Sequence, residues 1–112
     1  MVGPCASGKT TLVNGLIAHG FASTRLAAQE HSGVLTLWSW RGHPDVLIYL
    51  DVQAATMNRR QGRTDWTDAA RTEQVRRLAS ARAACDLYLP TDELTISQVL
   101  ETVIAFLNRR LR

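Results

Sequence analysis

The stretch GPCASGKT, residues 3–10, constrains this chain more than any other. Gly3 is followed by four residues and then by Gly8, Lys9 and Thr10, which fits the phosphate-loop spacing G-x-x-x-x-G-K-[ST], the Walker A pattern, at every fixed position. Glycines let a backbone curl into a concave ring of N–H groups, and a helix that follows aims its positive end at the same point. The helix-forming TLVNGLIAHG comes directly afterwards. Gly3, Pro4, Cys5, Ala6, Ser7, Gly8, Lys9, Thr10 and Thr11 are therefore expected to hold a triphosphate. Lys9 would reach the β- and γ-phosphates, and the Thr10 hydroxyl would ligate Mg²⁺. Lys9 is the only lysine, against twelve arginines. A compact ammonium on a flexible stem suits such a ring, whereas a guanidinium is a wide planar fork. A glycine-rich turn that merely caps a helix is the plainer alternative.

With 112 residues, 46% of them hydrophobic, the chain has apolar material for one core, so a single domain spanning 1–112 is expected. No run is long enough to span a bilayer and no leader precedes the loop, so no membrane association is expected. Cys5 and Cys85 lack C-x-x-C or His-Cys ligand spacing and read as reduced thiols of a cytoplasmic protein. The net charge of +3 is concentrated after the middle: residues 59–82 carry seven arginines against Asp65, Asp68 and Glu73. No aromatic interleaving or helix-turn-helix signature accompanies that block, which disfavours nucleic acid and favours the phosphates of a small nucleotide.

Along the chain, Leu12, Val13, Leu16 and Ile17 mark one face of a helix that Gly20 stops. Residues 22–28 read as a short strand and 29–44 as a helical or irregular linker. VLIYL, between Pro44 and Asp51, reads as a strand buried on both faces. A helix over 53–61 ending at Gly62, a second over 67–84, a short strand over 86–89 closed by Pro90, and a final helix follow. Thr95 and Gln98 have capping-box spacing ahead of that helix, whose apolar stripe runs through Ile96, Val99, Leu100, Val103, Ile104 and Leu107. Strands alternating with helices imply an α/β fold, a parallel sheet covered on both faces with ligands at the strands' carboxyl ends.

On GPCASGKTTL, on PDVLIYLDV followed by MNRRQGR, and on CDLYLPTDELT, the chain resembles the P-loop kinases of the nucleoside and nucleotide kinase group. The resemblance implies a three-layer α/β/α sheet of P-loop NTPase type, with ATP and Mg²⁺ as cofactors and transfer of the γ-phosphoryl group to a small-molecule acceptor. A nucleotide-binding switch or accessory NTPase module without kinase activity is the other reading. By position, Arg59, Arg60 and Arg63 would be arginines of a lid over 59–66, with Arg63 foremost, and Asp92 would contact the base. Arg71 and Arg82 are further candidate phosphate ligands. Two departures from the family accompany these matches. Its acceptor-binding insertion is reduced to about fifteen residues, so Gln29, Glu30, His31 and Ser32 become the polar cluster facing the γ-phosphate, with Glu30 as base or water-mediated Mg²⁺ partner. Asp51 ends its strand like a Walker B acid, but fits the family's non-catalytic strand better. The strand that normally feeds the loop is also largely missing, since Met1 and Val2 supply only its last fragment. The expected partners are a nucleoside triphosphate, an unidentified acceptor, and a further chain that could supply that strand, a homodimer included.

Overall fold

The computed structural model describes residues 1–40 and 42–111; Arg41, inside the expected linker, and Arg112 lie outside the described residues. Among the described residues the chain is a mixed α/β protein with five α-helices and a two-stranded parallel sheet. The first strand, β1 (Ile48–Asp51), forms from the continuous apolar run and is buried at all four positions. It pairs in parallel with β2 (Leu87–Pro90), Tyr49 opposite Tyr88 and Asp51 opposite Pro90.

Because successive side chains of a strand point to opposite faces, β1 divides the core in two. Ile48 and Leu50 pack with Leu12 and Leu16 of α1 (Lys9–Ala18) and with Val99, Val103 and Leu107 of α5 (Ile96–Arg110). Leu47 and Tyr49 face the other way, toward Val2, Leu78 and Ala81. Burial of each large apolar side chain contributes about 1.5–3 kcal/mol, so this double coverage fixes the strand. The expected capping box at Thr95 and Gln98 is complete and starts α5. Ile96, expected in the buried stripe, is instead 70% exposed at the first position of α5, outside the cluster that Val99, Val103 and Leu107 join.

The loop hangs from one residue. The Val2 N–H donates to the Ile48 carbonyl at 2.9 Å and the Leu50 N–H donates to the Val2 carbonyl at 2.9 Å, a single parallel bridge beside β1. On Val2's far side, residues 22–28 do not form the expected strand. Only two main-chain bonds join that segment to Met1, from Ala27 N–H to the Met1 carbonyl (3.0 Å) and from Met1 N to the Arg25 carbonyl (3.1 Å). With so short a partner and mostly small or polar residues, the segment has neither a ladder nor a buried face to hold it.

The helix expected over 67–84 is two helices, α3 (Asp68–Arg77) and α4 (Ala79–Ala84). The break falls at the buried Leu78, whose N–H is shared at 3.1 Å between the Gln74 and Val75 carbonyls, a tightened turn that re-aims the chain. The helix α2 (Ala54–Gln61) ends as expected at Gly62, in the left-handed conformation (φ 62°). The linker over 29–44 is irregular, with 3₁₀ turns at Gln29–His31 and Leu37–Ser39. Gln29 holds it: the buried side-chain amide donates to the Val34 (2.7 Å) and Arg77 (3.0 Å) carbonyls and accepts from the Trp38 N–H (3.0 Å).

Candidate functional site

Residues 3–8 link the Val2 bridge to α1 through a sharply curved backbone. Gly3 (φ 151°), Ala6 (φ 60°) and Gly8 (φ 100°) all have positive φ. At Gly3 the reason is contact as well as torsion, since a Cβ there would lie 2.0 Å from the Leu50 carbonyl oxygen. Ala6 holds a conformation that costs a non-glycine residue about 1–2 kcal/mol, and the sequence carried no sign of it. Gly8 is the N-cap of α1, and among the described residues no side chain caps that helix, which leaves its first-turn amides without a side-chain partner.

Lys9 turns back under the loop. Its side chain is 8% exposed, and Nζ donates to the Gly3 carbonyl at 2.5 Å, to the Pro4 carbonyl at 2.9 Å and to Glu30 Oε2. Glu30 is 4% exposed, delivered from across the fold by the 3₁₀ turn at Gln29–His31. Among the described residues, Glu30 Oε1 and Ser7 Oγ are buried polar atoms without a hydrogen-bond partner. Lys9 and Glu30, both expected beside the γ-phosphate, are thus bonded to each other, a contact the sequence did not predict. Gln29 belongs to the scaffold, and the Ser32 hydroxyl accepts from the Val34 N–H at 3.0 Å. Thr10 and Thr11 are exposed at the start of α1.

The loop's outer side is braced by residues that the spacing did not single out. Gln74, on α3, accepts from the Cys5 N–H at 3.0 Å and donates to Cys5 Sγ at 3.2 Å. The Thr91 hydroxyl, after β2, lies 2.9 Å from the Ser7 carbonyl and 3.2 Å from that of Asp51. Arg60 donates to the Ala6 carbonyl at 2.8 Å, to Thr91 Oγ1 at 3.0 Å and to the Thr91 carbonyl. Burial lowers the Arg60 guanidinium from its ordinary value. Of the three candidate lid arginines, Arg60 is the one bonded to the loop. Arg63 grips Asp65 with two bonds of 2.7 and 2.6 Å and lies 4.9 Å over the Trp66 ring, and Arg59 reaches the Asp92 carbonyl at 3.5 Å.

Asp51 is fully engaged: Arg71 binds both its oxygens (2.9 and 3.0 Å), and the Tyr88 hydroxyl and the Val52 N–H also donate to it. Arg71 further donates to the Val52 carbonyl at 2.6 Å. The pair seals the end of β1, so neither residue is free to serve a phosphate or a metal. Arg82, the other arginine considered for phosphate, lies 3.8 Å over the Tyr88 ring. Asp92 accepts from the Gln53 N–H at 2.8 Å, beside a cleft of about 510 Å³ lined by Gln53, Thr56, Pro90, Glu93 and Leu94. Burial works to raise the Asp92 carboxyl, but hydrogen bonds from Gln53 and Thr56 outweigh it and hold the group below its usual value. A cavity of about 980 Å³ lies away from this chemistry, bounded by Phe21, Leu26, Trp40, His43 and Leu111. No protein-family model, curated protein or solved structure matches the chain.

Proposed function

We propose that the chain is a small P-loop protein of the three-layer α/β/α type that binds ATP with Mg²⁺ and passes the γ-phosphoryl group to a small-molecule acceptor. The observation that carries this reading is the loop itself: three positive-φ residues curve the backbone around Lys9, which is buried and aimed inward, never into bulk solvent. A triphosphate tail offers Lys9 a stronger set of acceptors than two carbonyls and one carboxylate. Binding then requires the ammonium to leave Glu30, and the carboxylate so released lies beside the transferring group. In the transfer, the acceptor oxygen bonds to phosphorus as the bond to the ADP oxygen breaks, and Glu30 takes the acceptor's proton. Mg²⁺, which would neutralise phosphate charge, would be held by the Thr10 hydroxyl and, through water, by Glu30.

A second reading, a nucleotide-dependent switch or accessory module without transfer, is favoured by a different observation. Arg63, the foremost candidate lid arginine, is paired with Asp65, so a group that a kinase would use is held elsewhere. Calorimetric titration with Mg·ATP and Mg·GTP tests the shared core of both readings. Saturable binding to the folded wild type, lost in Lys9→Ala, is expected, and a folded wild type that binds neither would overturn them. Labelled ATP with a panel of nucleosides, nucleotides and sugars then separates the two, because only a kinase passes label to an acceptor.

A further inference from the structure

A second chemistry converges on the outer edge of the loop. Cys5, Glu30 and His31 each present one ligand atom, and the three atoms lie within 4.8 Å of one another. His31 Nε2 is 3.4 Å from Cys5 Sγ and 4.0 Å from Glu30 Oε2. The loop supplies the thiol, and the 3₁₀ turn at Gln29–His31 supplies the other two.

Two arrangements explain a Cys–His–Glu cluster. In a nucleophilic triad the imidazole works through opposite nitrogens, one toward the thiol and one toward the carboxylate. Here the thiol and the carboxylate approach the same nitrogen, Nε2, which can hold only one proton between them. Three donors gathered around one point is instead the arrangement of a metal centre. Zinc bonds of about 2.3 Å to sulfur and about 2.0–2.2 Å to nitrogen and oxygen put tetrahedral ligand atoms about 3.3–3.7 Å apart. The 3.4 Å separation falls in that range, and the 4.0 Å one lies just outside it.

A separate feature points to a cation as well. Glu30 Oε1 is buried and has no partner among the described residues, while Oε2 is taken by Lys9. A carboxylate oxygen removed from water with nothing to accept from is costly, and a cation drawn to the carboxylate would relieve that cost. Gln74 already donates to Cys5 Sγ at 3.2 Å, the kind of outer contact that orients a ligand and stabilises a thiolate.

We propose that Cys5, Glu30 and His31 form a zinc-binding site at the rim of the loop, with a fourth position left to water. A thiolate, an imidazole and one carboxylate suit Zn²⁺ and disfavour Mg²⁺ and Ca²⁺, which require oxygen donors. Binding replaces the Cys5 S–H bond with S–Zn and releases the proton to solvent, with no change of oxidation state. Because the metal draws Glu30 and Cys5 together, it holds the loop in the conformation in which Lys9 is paired with Glu30.

The test is made on the full chain without nucleotide. Co²⁺ titration should produce one equivalent of thiolate-to-cobalt charge-transfer absorption, which one equivalent of Zn²⁺ then removes. Cys5→Ser should abolish the band and Cys85→Ser should keep it. His31→Ala, at a largely exposed ring, should weaken Zn²⁺ affinity by more than the about 10- to 100-fold that loss of an outer contact costs. Zn²⁺ should also protect Cys5, and leave Cys85 unprotected, against alkylation followed by peptide mass analysis in the wild type. The proposal is overturned if the wild type gives no band, if the band survives Cys5→Ser, if folded His31→Ala binds zinc like the wild type, or if protection falls equally on both thiols.

Discussion

Lys9 and Glu30, twenty-one positions apart, form a buried ion pair directly beneath the loop. The pair neutralises two charges removed from water, and it ties the stability of the fold to the residue expected to grip phosphate. Breaking one side of a buried pair costs about 3–5 kcal/mol, because the remaining charge is left uncompensated. Lys9→Met should therefore lower stability by about that amount in denaturant titration and abolish Mg·ATP binding. The double variant Lys9→Met/Glu30→Leu should recover most of the stability and none of the binding. Stability that stays low in the double variant would mean that the pair is not the source of the loss.

Glu30→Gln separates binding from transfer. The amide no longer holds Lys9 as a counter-ion, so Mg·ATP affinity should hold or rise, while label transfer, if it occurs in the wild type, should fall about 10²–10⁴-fold with the loss of a general base. Unchanged transfer would remove Glu30 from that role.

The two loop glycines should differ in a way that their shared positive φ does not suggest. Gly3→Ala meets the Leu50 carbonyl oxygen at 2.0 Å and must move the strand, whereas a Cβ at Gly8 meets nothing within 4 Å. Gly8→Ala should cost only the torsional strain of about 1–3 kcal/mol, and Gly3→Ala clearly more. Equal melting temperatures for the two variants would contradict this.

Arg60 and Arg63 should also part company. Arg60→Ala removes three bonds that tie the Ala6 and Thr91 carbonyls and the Thr91 hydroxyl together, at about 1–3 kcal/mol, with weaker nucleotide binding as the loop slackens. Arg63→Ala loses only a solvent-exposed pair with Asp65, which salt and water screen, so stability should hardly change. A larger stability loss in Arg63→Ala than in Arg60→Ala would reverse the assignment.

Alkaline pH tests the seal at the end of β1. Burial first, then the hydrogen bond to Asp51, pushes the Tyr88 phenol up to about 12, and burial moves Tyr49 upward as well. A group that holds its proton more tightly when folded contributes stability fully below its unfolded value of about 10. That contribution disappears as pH rises through about 12. Tyrosinate absorbance should thus appear late, together with loss of the far-ultraviolet circular dichroism signal. Ionisation of half the tyrosine near pH 10 in a protein that keeps its dichroism would contradict the arrangement.

Much of the frame was legible in the sequence because it rests on local rules. The apolar run of β1, the glycine stop at Gly62 and the Thr95–Gln98 capping box each follow from a few neighbouring residues. The pairing of Lys9 with Glu30 was not legible, since the sequence placed both beside the γ-phosphate and carries no sign of a contact between them. The break at Leu78 and the failure of 22–28 to form a strand depend on which distant backbone is available, and no local pattern encodes that. The braces at Gln74, Arg60 and Thr91 were hidden for a related reason: side chains bonded to remote main-chain groups leave no periodicity.

Arg71 and Gln74 sit one turn apart on α3, the first clasping Asp51 at the end of β1 and the second clasping Cys5 in the loop. One helical turn is thus the jig on which strand end and loop are both set. Removing a single residue between Thr67 and Arg71 would rotate both clasps away together. On gentle warming, the unwinding of that turn should loosen the loop while α1, β1 and α5 are still packed, so the nucleotide binding proposed for it should fail ahead of the melt.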